Sequence, residues 1–218
     1  MDVTIAKDWF DYTRDIVLVV TQTLSLVGIF YIYKTFRHDH ERSRRQNALD
    51  AIYRWDTTRP ANAHHLRNFI DALDEGQVKS VLNSDSFLIT TKQKELLECV
   101  FPTKYIDNNL TQCGNGSCQC DLFYNTSKGI SKQLRQQTVT YLNALEALLQ
   151  SWRFGVADRE VIEDEYIYLF SQAKSTMTLK TFRTTAGGAE VFPAIYAFEE
   201  EITKRRRPQH KKSTLLGT

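Results

Sequence analysis

The hydrophobic pattern is dominated by one uncharged stretch, Ile16 to Tyr33 (IVLVVTQTLSLVGIFYIY), bounded by Asp15 and Lys34. At a helical rise of ~1.5 Å per residue it covers roughly 27 Å, close to the ~30 Å hydrocarbon thickness of a bilayer. This predicts a transmembrane helix over 16–33, preceded by a short segment, 1–15, and followed by a juxtamembrane helix over 34–58. In that helix Ala48, Ile52 and Trp55 share a face, with Leu49 and Tyr53 beside it.

Beyond the anchor, apolar residues recur at helical spacing. Pro60, at a first-turn position, opens a helix through Leu66, Phe69, Ile70 and Leu73 that stops near Gly76. Val78 to Leu82 makes a short helical turn, and Thr91 to Val100 another helix, capped by Thr90 or Thr91 and stopped at Pro102. Residues 102–130, rich in Asn, Gly, Ser and Thr, show no period and predict an irregular surface insertion. The strongest stripe follows: Leu134, Tyr141, Leu142, Leu145, Leu148, Leu149 and Trp152, ended by Gly155. Asp158 caps the next helix, whose core face is Val161, Ile162, Tyr166, Leu169 and Phe170. Gly187 and Gly188 precede a last helix carrying Val191, Ile195, Phe198 and Ile202. No alternating run competes, so the expected fold is all-α: one N-terminal transmembrane helix, a helical bundle over 59–203, and a basic tail over 204–218. A chain of 218 residues is long enough to bury such a core without disulfides.

Charge sets the expected orientation. Asp2, Asp8, Asp11 and Asp15 precede the stretch, against Lys7 and Arg14, whereas Lys34, Arg37, Arg42, Arg44 and Arg45 follow it. The positive-inside rule places the N-terminus in the periplasm of a bacterial cell and the large domain in the cytoplasm, attached to the inner membrane. Trp9 and Phe10 on one side, and Phe30, Tyr31, Tyr33 and Phe36 on the other, suit the interfacial aromatic belts. A cleavable signal peptide would want a basic leader and a small-residue cleavage site, which this sequence lacks, and a buried core helix leaves the flanking charge asymmetry without a role. The formal net charge of +2 hides six Lys and Arg between Lys204 and Lys212, without which the remainder is −4. That tail can lie on anionic lipid, touch nucleic acid or stay solvated.

Within the span, Thr21, Ser25 and Gly28 share one face with Gln22 beside them. Small and hydroxylated residues let helices approach closely in lipid, so a homo-oligomer is one expectation, a lone anchor tolerating these residues the other. Cys99, Cys113, Cys118 and Cys120 are candidate ligands for a structural zinc, with free thiols as the alternative; otherwise no cofactor is expected. Glu146 falls inside the Leu142, Leu145 and Leu149 stripe, where a carboxylate must be paired or neutralised; Asn143, one turn back, or an arginine such as Arg135 or Arg153, would be its partner. Two stretches, Arg59 to His64 and Arg205 to His210, have the Arg, four spacers, His arrangement that resembles the RNA-cleaving motif of HEPN helical nucleases. No catalytic group is expected on the reading of these residues as helix start and solvated tail.

The block Tyr141-Leu-Asn-Ala-Leu-Glu146, with Gly155-Val156 and Asp158 to Ile162, together with the exit KTFRHDHERSRRQNALDAIYRW, resembles a bacterial family of singly anchored helical membrane proteins. The plan is also similar to the membrane accessory protein of type VI-B CRISPR systems and to transmembrane effectors encoded beside antiphage retrons. That resemblance implies a non-enzymatic effector of abortive infection that assembles in the inner membrane and perturbs it. Its implied partners are the lipid bilayer, further copies of itself, and a sensor such as a reverse transcriptase–RNA complex or a CRISPR effector. A membrane-tethered nuclease or a passive anchored adaptor are the competing expectations. The cysteine-bearing insertion departs from the family's pattern.

Overall fold

The computed structural model describes residues 2–113, 123–170 and 178–213, with side chains over 16–112, 123–170 and 178–205. Helix accounts for 79% of the structure and strand for 6%. The chain divides between Gln46 and Asn47 into two compact units, and helix α1 (Asp2–Thr58) contributes to both. In the first unit every residue of 16–33 is exposed, and none is buried among the described residues.

The second unit is built on α6 (Lys128–Arg153), started by the Ser127 hydroxyl, which accepts from the Ile130 amide. Its stripe buries Ile130, Leu134, Tyr141, Leu142, Leu145, Leu148, Leu149 and Trp152. Against it pack α2 (Ala63–Asp71), α3 (Glu75–Asn83), α7 (Arg159–Tyr166) and α9 (Pro193–Ser213). Trp152 meets Phe198 of α9 edge-on at 4.9 Å, and Phe198 leans on Phe170 at 5.2 Å. The last turns of α1 belong to this core and not to a separate juxtamembrane element: Ala48 and Trp55 are buried, and Trp55 packs on Tyr141 (5.0 Å) and Tyr166 (6.1 Å) in T-shaped contacts. Such aromatic pairs add about 0.5–1.5 kcal/mol beyond their area.

The expectation of an all-α domain fails at one place. Three short strands, β1 (Leu88–Thr90), β2 (Leu110–Cys113) and β3 (Phe123–Thr126), form an antiparallel sheet in the order β1-β3-β2, with Leu88 opposite Asn125 and Gln112 opposite Tyr124. With α5 (Thr103–Asp107) it gives regular structure to much of the stretch expected to be irregular. The sheet is pinned by Thr126, 1% exposed, whose hydroxyl donates to the Phe87 carbonyl (3.0 Å) while accepting from the Phe87 amide (3.1 Å).

Two boundaries also move. α2 starts at Ala63 and not at Pro60, because Asn62 sends its side-chain amide to the Val100 carbonyl (2.6 Å) of α4 (Thr91–Val100) and makes no side-chain cap. α9 starts with Pro193, a favoured first helical residue, so Val191 stays half exposed outside it. Gly187 supplies the turn before α9: its φ of 117° suits no L side chain, and a Cβ there would stand 2.6 Å from Val191.

Replacing Thr126 by Val keeps shape but strands the Phe87 amide without its acceptor. It should destabilise the protein by about 1–3 kcal/mol, read from thermal unfolding; an unchanged midpoint would remove Thr126 from this role.

Candidate functional site

In the apolar stretch 16–33 three hydroxyls serve their own helix. Thr21 Oγ1 donates to the Val17 carbonyl (2.7 Å), Thr23 Oγ1 to Val19 (2.8 Å) and Ser25 Oγ to Thr21 (2.9 Å). They therefore carry little polar demand into an apolar medium. Gly28 opens a face on which an added Cβ would meet nothing within 4 Å. Gln22 differs: its amide is exposed and has no hydrogen bond among the described residues.

In the second unit the expected pairing of Glu146 with Asn143 does not form. Asn143 is exposed and stands on the walls of two surface grooves of about 670 Å³ and 490 Å³. Arg135 and Arg153 are not partners of Glu146 either. Instead the carboxylate, 7% exposed, accepts from the backbone amides of Ala194 (Oε1, 2.8 Å) and Ile195 (Oε2, 3.0 Å), with Gln150 Nε2 at 3.4 Å. These are the second and third residues of α9, whose first-turn N–H groups have no partner within their own helix. One carboxylate from α6 thus caps a helix 48 residues away, and the positive end of that helix stabilises its charge.

A second buried carboxylate, Glu163 of α7, sits 5% exposed between the indole of Trp152, whose Nε1 donates at 2.8 Å, and Arg205 of α9. Arg205 also bonds Glu201 (3.0 Å). A third network joins α2, α8 (Lys180–Thr185) and α9 through Arg183, which is fully buried. Its Nε donates to the Thr178 carbonyl (2.9 Å), its Nη2 to Glu199 (2.9 Å), and the guanidinium lies 4.9 Å over the Tyr196 ring. Beside it Asp71 accepts the Leu179 amide (3.0 Å). Burial pushes the Asp71 carboxyl up to about 6, outweighing the Leu179 hydrogen bond and the nearby Arg67 and Arg183 charges. Burial likewise pushes the Tyr141 hydroxyl up to about 12, against the lowering effect of Arg67.

Asp71 and Arg183 were not singled out from sequence. Asp71 borders the Phe69–Ile70 core face, a signal available in the periodicity, whereas nothing in the sequence around Arg183 marks it as buried.

The nuclease-like arginines are engaged elsewhere: Arg59 pairs with Asp56 (3.1 Å) and Arg205 with Glu163 and Glu201. His64 is exposed, its ring near Asn68 (3.2 Å) and Arg67 (3.5 Å), while the His210 side chain lies outside the described residues. Of the four cysteines, Cys99 is exposed and donates to the Glu95 carbonyl (3.5 Å). Cys118, Cys120 and the Cys113 side chain lie outside the described residues, among which no group of three or more His, Cys, Asp or Glu stands ready for a metal.

Comparison of the chain with protein-family models, with curated proteins and with solved structures finds no match.

Two outcomes follow from these sites. Glu146→Ala leaves two buried amides without an acceptor and should cost about 2–4 kcal/mol. Glu146→Gln should cost nearly as much, because its NH2 would face an N–H donor; full stability of either variant in thermal unfolding would refute the cap. For Asp71 the folded-state pKa of about 6 lies above the ordinary 3.8, so its contribution to stability is full below pH 4 and is lost as pH rises through 6. Asp71→Asn should therefore be more stable than the parent at pH 8, by up to about 3 kcal/mol. The difference should vanish near pH 4, and an advantage independent of pH would contradict the assignment.

Proposed function

We propose that this chain is an effector of bacterial antiphage defence, held in the inner membrane by its N-terminal helix with the helical domain in the cytoplasm, and that it acts by self-association and perturbation of the bilayer. The observation that carries the membrane placement is the exposed stretch 16–33. Thirteen of its large apolar side chains are 45–71% exposed. At about 1.5–3 kcal/mol each, leaving them in water would cost more than the ~5–15 kcal/mol that stabilises a typical domain. Charge on either side favours a cytoplasmic domain, and the likeness of the anchor-plus-helical-domain plan to antiphage membrane proteins supplies the biological setting.

Self-association is supported most directly by Gln22. With Thr21, Thr23 and Ser25 bonded to their own backbone, this amide, unlike the Tyr31 and Tyr33 hydroxyls near the interface, is a mid-span polar group without a partner among the described residues, and in lipid a second copy is the natural source of one. Gly28 gives room for close approach on the neighbouring face.

Induced expression in a bacterial host should depolarise the inner membrane and stop growth, read with a potential-sensitive dye. Gln22→Leu should weaken self-association in the membrane about 5–30-fold, from the ~1–2 kcal/mol of a polar interhelical contact, and should reduce depolarisation with it. Growth and potential unaffected by a membrane-inserted parent chain would overturn the effector reading.

A further inference from the structure

We infer that the helix just past the span, Lys34–Arg45, is a binding surface for anionic lipid headgroups carried on one half of its circumference. The inference rests on the membrane placement proposed above and names a partner for it.

Over 34–45 the helix is exposed throughout apart from the half-buried Arg44. At about 100° per residue, Lys34, Arg37, Arg42, Arg44 and Arg45 fall within a sector of about 160°. Asp39, His40 and Ser43 take the other side. Glu41 lies in the basic sector and accepts from Arg37 at 3.4 Å, an exposed pair that leaves the cationic excess largely in place.

Height along the axis matches the headgroups. Lys34 directly follows the uncharged stretch, Arg37 stands about 6 Å beyond Tyr33, and Arg42 about 14 Å. The polar layer of one leaflet is ~5–7 Å deep, and charges act across a further ~8 Å at physiological salt. Lys34 and Arg37 therefore reach the phosphates, and Arg42 still feels them. Single-stranded nucleic acid suits the surface less well, since its binders interleave rings with cations and Phe36 points to the opposite half of the helix. A one-sided cationic face also sets the direction in which an anchored helix leans toward the headgroups.

The test uses the full chain in vesicles with spin-labelled phosphatidylglycerol or phosphatidylcholine as probes, reading the motionally restricted fraction of each. The parent should prefer phosphatidylglycerol by about fivefold or more, the weight of a single cation at an anionic surface. The preference should collapse in the triple variant Lys34→Gln, Arg37→Gln, Arg42→Gln and in about 1 M salt, where charges act over only ~3 Å. His40→Gln, on the other half, should leave it intact. Equal binding of the two lipids, or a preference that survives the triple variant, overturns the inference. So does nuclease-sensitive RNA held through the same three cations. A parent chain found in the soluble fraction overturns the membrane reading as well, whereas an embedded chain without lipid selectivity overturns this inference alone.

Discussion

Eighteen helical residues, their apolar side chains exposed and buried by none of the described residues, set the main physical constraint on this molecule. A soluble domain hides such a helix in its core, and the second unit has a complete core without it: α6 is already wrapped by α2, α3, α7, α9 and the last turns of α1. Lipid suits the apolar side chains of the stretch, because its backbone is internally bonded and the Thr21, Thr23 and Ser25 hydroxyls bond to the preceding turn, which leaves the Gln22 amide as the mid-span polar group to be satisfied. Gln22 and the basic residues after Tyr33 then acquire a purpose that a water-exposed helix would not give them.

Within the second unit, the carboxylate of Glu146 organises the polar chemistry of an apolar core. It supplies acceptors for two first-turn amides of α9, so that Ile195, Phe198 and Ile202 can be buried against α6 with Ala194 at 0% exposure beside them. The far end of α9 is tied by Arg205 to Glu163, and Arg183 ties its middle through Glu199. Two acids from α6 and α7 and one arginine from α8 thus hold a single helix and make its position strongly specified, with Asp71, its carboxyl pushed up to about 6, at the junction of α2 and the segment leading into α8.

Much of this was legible in the residue pattern, for reasons particular to each element. The α6 stripe, its stop at Gly155, the Thr90 and Asp158 caps and the uncharged stretch all depend on local spacing, which sequence records directly. The small sheet was not legible, because strands of three or four residues are too short to display alternation and their pairing joins segments far apart. Glu146 was recognisable as a charge needing a partner, but its partners are backbone amides, which every residue possesses and no sequence distinguishes. The capping box of Asp74 and Gln77 that starts α3 was readable and was passed over in favour of a single turn at Val78 to Leu82. Arg183 is buried by the convergence of three elements and has no local signature.

Cys99 offers the most direct test of the membrane placement, since its thiol is exposed on α4. In a chain whose other cysteines are replaced by serine, a membrane-impermeant maleimide should label Cys99 in inverted inner-membrane vesicles and fail to label it in right-side-out ones until detergent is added. Labelling from the periplasmic face, or recovery of the labelled protein in the soluble fraction, would contradict a single span with the domain in the cytoplasm.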